Sequence, residues 1–322
     1  MAGARPGLTV FTYHRIADPA SDPYYDPVIS ATAEGFRAQV KEIARRFRVL
    51  TLDEAIDRLR SGDHPDRSAL ITFDDGYRDN FETAAPILRE LGLPAAFFLP
   101  TGFLDEPSLP WWDEVAWIVK HAPARRWEMS LSAGVAPLAI DLIDGPRSEA
   151  IRALIAAILA ETVKDVKTFL ATLADRSGVA PDSTAMGRAL FTDWNQVRAL
   201  TGPASGLAIG SHGRTHRKLA TLDDDAQLDE LAGSKDVLRD RIGREVEAIA
   251  YPYGWPGAFN ESTKALAARA GYRVGFAAIE GINGPGSTDP FAVRRLNVGS
   301  GDSPTLLRAR SALHATLGRS FL

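Results

Sequence analysis

Short apolar segments alternate along this chain with longer stretches whose apolar residues recur at helical spacing. Leu8–Tyr13, Ala69–Phe73, Ala95–Leu99, Gly206–Gly210, Val246–Tyr251, Arg273–Ala277 and Ala292–Val298 read as strands. Between them, Thr32–Phe47, Leu52–Leu59, Phe81–Leu91, Asp223–Ile242 and Glu261–Ala270 read as amphipathic helices. Thr51 with Glu54 three residues later is a capping box, and Gly92 directly after Leu91 is a helix stop. The alternation predicts a mostly parallel sheet with helices outside it.

Seven strands with intervening helices fit a barrel better than an open sheet, because polar residues gather just after several of the strands. The segment from about 104 to 190 interrupts the alternation. Within it, Ser148–Ser177 reads as one or two helices, with Ile151, Leu154, Ile155 and Ile158 spaced for one buried face. It is expected as a helical insertion after the third strand, packed on the barrel with a polar edge over the site. Residues 1–322 then form a single α/β domain. No internal repeat or low-complexity tract is seen.

Composition narrows the chemistry. The 322 residues are 45% apolar, enough for a substantial core, and no long apolar run suggests a membrane span. A net charge of −4 with acids and bases interspersed argues against a nucleic-acid surface. With no cysteine, disulfides and thiolate metal sites are excluded, so any metal must rely on His, Asp and Glu. No apolar core with a small-residue cleavage site precedes the first strand, which predicts a cytoplasmic protein.

The most informative run is Thr72-Phe73-Asp74-Asp75-Gly76-Tyr77, which sets two carboxylates at the end of an apolar strand. Neighbouring strand side chains diverge, but Gly76 lets the backbone turn so that Asp74 and Asp75 aim into one site. The second cluster, Ser211-His212-Gly213-Arg214-Thr215-His216, follows another apolar strand. One carboxylate and two imidazoles make a ligand set for a divalent metal with open positions, and the other carboxylate is free to act as a base on water. Taken separately, Asp-Asp-Gly is also a common solvated turn and the histidines also suit a surface. Both clusters at apolar strand ends, in a chain with six histidines, favour the metal.

Thr-Phe-Asp-Asp-Gly followed by His-x-x-x-His resembles the polysaccharide deacetylases, the NodB-homology group or carbohydrate esterase family 4. The resemblance runs from Tyr13-His14 to Arg294-Arg295. It implies an irregular (β/α)7 barrel, with Asp75, His212 and His216 as metal ligands and Asp74 as the base. The metal it implies is zinc, with Co2+, Ni2+ or Mn2+ as alternatives. Gly213 stands where relatives have Ser or Thr, so Ser211 or Thr215 is expected to supply the missing hydrogen bond to the metal ligands. His14, in an N-terminal Tyr-His like that of circularly rearranged relatives, is expected as the general acid in preference to His314. Ala250-Tyr251-Pro252-Tyr253-Gly254 matches the family's Arg-Pro-Pro-Tyr-Gly imperfectly and gives the Tyr253 N–H an oxyanion role. Ala250 replaces an arginine that orients the base, a task Arg294 or Arg295 is expected to take over.

Trp112 and Asp113, with Arg295, are the expected substrate contacts, although the Trp111-Trp112 pair serves equally well as a packing anchor. Asp193-Trp194 reads as a helix cap and a packing residue. The activity implied is removal of N-acetyl groups from an amino-sugar polysaccharide or oligosaccharide. Two other readings stand beside it. One is a deacylase or deformylase of a small nucleotide- or lipid-linked sugar; the other is an inactive carbohydrate-binding protein of the same fold.

Overall fold

The computed structural model describes residues 7–62, 67–200 and 206–317. Its main sheet runs through β1 (Leu8–Tyr13), β2 (Ser68–Phe73), β3 (Ala95–Leu99), β4 (Leu207–Ser211), β5 (Ala248–Ala250), β6 (Val274–Phe276) and β7 (Leu296–Asn297). Their spatial order is β6-β5-β4-β3-β2-β1-β7 and every neighbouring pair is parallel. A further two-residue piece, Arg48–Val49, pairs with the start of β2. All seven expected strands are present.

The last segment links the two sheet edges. Val293 exchanges hydrogen bonds with the β6 side, its N–H reaching Gly275 O at 2.9 Å while Ala277 N–H reaches Val293 O at 2.8 Å. Three residues on, Leu296 pairs with Phe11 of β1, and Val298 N–H bonds Thr12 O at 2.9 Å. The sheet is therefore a curled (β/α)7-type barrel in which one short segment bonds both edges.

Strand parity divides the core. Val10, Leu70, Ala96, Phe98, Ala248, Ala250, Val274 and Phe276 belong to one buried cluster, with Phe98 and Phe276 ring to ring at 5.2 Å. A Cβ on Gly210 would lie 2.3 Å from the Phe98 ring, so β4 must carry glycine there to leave room for that phenyl group. Residues of the opposite parity, such as Phe11, Ile71, Phe97 and Ile249, pack with the helices in a second cluster. Period-2 alternation buried on both faces is what a helix-covered parallel sheet requires.

The helices follow their sequence signals. Ala33–Arg46 starts at Thr32, whose side chain accepts the Gly35 N–H, and it buries Phe36, Val40 and Ile43 on one stripe. Leu52–Ser61 begins with the reciprocal Thr51–Glu54 capping box and ends at Gly62 in the left-handed region. Two expected helices contain a turn of π-helix, Asn80–Ala84 and Asp229–Gly233, that regular periodicity does not reveal. No helix among the described residues is long and apolar enough to cross a membrane.

The chain divides into two compact units. The barrel unit comprises residues 1–18, 27–106 and 191–322, and the second comprises residues 19–26 and 107–190. In the second, Ser148–Ser177 resolves into two helices, Arg147–Leu159 and Val166–Ser177, beside Trp111–His121 and Ser183–Leu190. An antiparallel hairpin, Arg126–Met129 with Leu138–Asp141, is an addition that the helical pattern did not predict. Lys120 Nζ ties the short 19–26 piece to this unit through Asp22 O at 2.9 Å and Tyr24 O at 2.6 Å.

Candidate active site

Parity places the first two site residues. Thr12 and Thr72 are register partners in β1 and β2, with hydroxyls 3.1 Å apart. The next positions of that parity are His14 and Asp74. Asp74 extends the ladder one step by donating its N–H to Tyr13 O at 3.0 Å. The chain then turns through two successive left-handed residues, Asp75 at φ 72° and Gly76 at φ 70°. The sequence pointed to Gly76 as the turn, but Asp75 itself carries half of it. Among the described residues only five that are not glycine have positive φ, and Asp75, His216 and Tyr253 are three of them. Backbone strain thus concentrates at this site, where surrounding structure must hold it.

Asp75, His212 and His216 converge, all three buried, with their ligand atoms within 4.8 Å of one another. His212 Nε2 is 3.3 Å and His216 Nε2 3.2 Å from the same carboxylate oxygen, Asp75 Oδ1. Neither approach has hydrogen-bond geometry, so that buried oxygen has no hydrogen-bond partner. His212 Nδ1 lies 2.7 Å from the Ala250 carbonyl. Only a donor suits a carbonyl, so Nδ1 carries the proton and Nε2 turns its lone pair toward Asp75. Three hard or borderline donors facing one point, with no thiolate, fit a divalent cation of the zinc type. The orienting bond on His212 therefore comes from the Ala250 carbonyl and not, as expected, from Ser211 or Thr215.

Electrostatics separate the two carboxylates from ordinary ones. Burial is the largest influence on Asp74 and opposes its charge, but Arg295 and the His212 and His14 imidazoles outweigh it and hold the carboxyl below its usual range. Asp75 is likewise opposed by burial, yet His212 and His216 drive it well below that range. Burial works against a charged His212, but Asp74 and Asp75 overcome it and raise that imidazole, whereas burial prevails at His216 and lowers it.

Of Arg294 and Arg295, it is Arg295 that reaches Asp74. It is 1% exposed and donates through Nη1 to Asp74 Oδ1 at 2.9 Å, with Nη2 2.8 Å from Oδ2. Its Nε donates to Ala277 O at 2.9 Å. Arg294 instead points to Glu280 O at 3.3 Å. The guanidinium of Arg295 thus pairs with Asp74, the orienting task expected of Arg294 or Arg295.

His14 lies close enough to both carboxylates for its charge to favour their ionised forms. Its backbone is pinned on both sides, the N–H by Ser30 Oγ at 2.9 Å and the carbonyl by Asn80 Nδ2 at 2.5 Å. His314 sits elsewhere, on the helix Pro304–Leu317, with Nε2 3.4 Å from Glu280. Tyr253, at φ 63°, packs its ring 4.9 Å from that of His216, and Trp255 lies 5.0 Å beyond. Trp255 is 37% exposed, a large aromatic surface that the sequence reading passed over.

Trp112 and Asp113 lie in the second unit and are buried at 6% and 0% exposure. Asp113 Oδ1 accepts the Tyr25 N–H at 2.9 Å. Asp193 caps as read, accepting the N–H groups of Asn195 and Gln196 at 2.8 and 2.9 Å. Glu230, in the π turn, was missed altogether. It accepts the Arg214 and Thr215 N–H groups, both at 2.8 Å, and nothing in its local sequence marks it.

Comparison with known proteins adds a family and a fold. The polysaccharide deacetylase family model matches residues 61–123 and 144–275. A poly-beta-1,6-N-acetyl-D-glucosamine N-deacetylase of Staphylococcus aureus (strain N315) is 35% identical over 80 residues, 24% of this chain and 28% of that protein. The matches span less than a third of the length of such curated relatives. Among solved structures, the Streptococcus pyogenes deacetylase PplD in complex with acetate superposes with a TM-score of 0.61 at 18% identity, covering 96% of this chain and 99% of that one. IcaB from Ammonifex degensii gives 0.57 at 20% identity, covering 96% and 97%. At these identities the structural likeness is one of fold.

Proposed function

The chain belongs to the polysaccharide deacetylase family, whose model spans more than half of it, and from that premise we propose that it removes N-acetyl groups from an amino-sugar polysaccharide or oligosaccharide by metal-dependent hydrolysis. One observation carries the reading: a buried carboxylate oxygen without a hydrogen-bond partner faces two imidazole nitrogens, beside a second carboxylate locked by arginine. Asp75, His212 and His216 are the residues that would hold a divalent ion, zinc by the character of the donors. Such an ion supplies Lewis-acid polarisation of the acetyl carbonyl and acidifies water.

The remaining steps belong to side chains of this protein. Asp74, ionised through its pairing with Arg295, takes the proton of the attacking water. The left-handed turn at Tyr253 offers its N–H to the oxyanion that forms at the acetyl carbon. His14 delivers a proton to the departing nitrogen, without which an amide C–N bond breaks very slowly at neutral pH. The half-exposed indole of Trp255, next to Tyr253, supports a ring-shaped substrate such as a sugar.

Acetate release from N-acetylated glucosamine oligomers, measured with metal-stripped protein and again after stepwise zinc addition, tests this directly. Release should rise with zinc to about one equivalent per chain. If zinc-loaded protein frees no acetate from any acetylated amino-sugar oligomer, the proposed function is wrong.

A further inference from the structure

The loop between the two histidines is fastened by a single buried carboxylate. After His212, three consecutive backbone N–H groups are met in turn. Gly213 donates to Ser211 Oγ at 3.1 Å, and Ser211 is braced by the Ser234 hydroxyl at 2.7 Å. Arg214 and Thr215 both donate to Glu230 Oε2 at 2.8 Å, and the Thr215 hydroxyl donates to Glu230 Oε1. The loop's carbonyls face the other way: Gly213 O accepts the Thr101 N–H at 3.2 Å and Arg214 O the Gly102 N–H at 2.7 Å.

We propose that Glu230 is a positioning residue that sets the separation of His212 and His216, and so the affinity of the metal site; this rests on the metal reading given above. The conformation it holds is one the chain would not keep unaided, since Gly213 stands at φ 74° and His216 at φ 56°. Successive N–H groups in such a turn form a concave anion site, and a carboxylate, with about four lone-pair positions, accepts the three donors at once. Glu230 is 4% exposed, and its bonds to the Arg214 and Thr215 N–H groups are partly shielded from solvent, so removing it strips the turn of its acceptors. The π turn Asp229–Gly233 that carries Glu230 is a departure from regular helix of the sort found at functional sites.

The clasp also accounts for Gly213, where the family resemblance leads one to expect Ser or Thr. A Cβ at 213 would stand 3.2 Å from Glu230 Oε2, on a backbone that side-chain-bearing residues rarely adopt. Glycine there and glutamate at 230 are two halves of one device.

The test compares wild type, Glu230→Ala, Glu230→Gln, Glu230→Asp and His212→Ala. Zinc affinity of the metal-stripped full chain is read by competition with a chromophoric chelator, together with the thermal midpoint. Glu230→Ala should weaken zinc binding by about 10- to 100-fold, the usual effect of removing a group that orients a ligand. Glu230→Gln, which keeps an acceptor oxygen for both N–H groups, should restore most of the affinity. Glu230→Asp, one methylene too short, should not. A residue that merely braces the fold would lower the midpoint and leave the folded protein's zinc affinity unchanged, and that result for Glu230→Ala overturns the proposal. Should Glu230→Ala fail to fold, Glu230→Asp decides, with wild-type affinity counting against the clasp. If wild type binds no zinc, or His212→Ala binds it equally well, the metal reading itself falls and this inference with it.

Discussion

Arg295 holds Asp74 by both prongs of its guanidinium, at 2.9 and 2.8 Å, across 221 residues of sequence and entirely out of solvent. The pair forms because the segment after Val293 bonds to both edges of the sheet and so carries Arg295 to the end of β2. A hydrogen bond from Nη1 and an ion-pair contact from Nη2 engage both carboxylate oxygens, constraining the group's orientation as well as its charge. A carboxylate held this way needs no reorganisation before it accepts a proton.

Replacing Arg295 separates orientation from charge. Arg295→Lys keeps a cation but loses the fork, and turnover should fall by about 10²-fold, the scale expected of an ångström-sized misplacement. Arg295→Met should destabilise the protein by about 3–5 kcal/mol, because a buried carboxylate is left unpaired. Arginine lowers the Asp74 pKa, chiefly by its charge, so the acidic limb of kcat/KM should move to higher pH in Arg295→Met and by less in Arg295→Lys, which keeps a charge but loses the hydrogen bond. An unmoved limb in Arg295→Lys, alongside unchanged turnover, would show that the pairing does not govern the base.

Proton and metal compete for His212. In the metal-free protein Asp74 and Asp75 overcome burial and raise this imidazole above its ordinary 6.5, so part of the population stays protonated above that pH. A ligating imidazole must be neutral. Zinc affinity, followed by titration at successive pH values, should therefore keep rising well past pH 6.5 instead of levelling there. In the metal-free protein the sign is reversed for stability. The raised pKa contributes below pH 6.5, and that contribution is lost as pH climbs through the folded value. A zinc affinity independent of pH above 6.5 would contradict the arrangement.

Asp74 and Asp75, though adjacent, should fail in different ways. Asp75→Asn removes the charge from the one oxygen that both Nε2 atoms face, and zinc binding should drop with activity. Asp74→Asn should keep the metal but lose most turnover, because an amide cannot take up the water's proton. Zinc titration and acetate release, run side by side, distinguish the two; identical titration curves would refute the division of roles.

What the sequence disclosed was whatever depends on local order. Thr32, Thr51 and Gly92 mark helix ends through contacts spanning a few residues, and Asp74, Asp75, His212 and His216 stand where apolar runs stop. The Ala250 carbonyl and Glu230 escaped because one acts across the barrel and the other from a π turn, and neither leaves a periodic trace; Arg295 was reached only as one of two arginines, because its pairing with Asp74 spans 221 residues. Trp112 and Asp113 show a different limit of local sequence. An aromatic–acid pair after a proline reads alike whether it serves a ligand or packing, and both side chains are buried here. Gly213 looked like a defect in the motif until Glu230 was seen beside it.

His14, and not His314, should supply the proton to the leaving amine. The two differ in position before they differ in anything else, and an acid must be within hydrogen-bond reach of the nitrogen it protonates. His14 follows β1 on the parity of Thr12, next to Asp74, with its backbone clamped between Ser30 and Asn80. His314 is buried on the final helix against Glu280. His14→Ala should leave zinc affinity near wild type and lower amide turnover by roughly two to four orders of magnitude. Activated aryl acetates, whose leaving groups depart without a proton, should suffer far less from the same change. His314→Ala should alter the thermal midpoint slightly and the kinetics hardly at all. The contrast between amide and ester is the decisive reading. If His14→Ala slows both substrates equally, the imidazole is shaping the pocket rather than delivering a proton, and if it slows neither, the acid must be sought elsewhere.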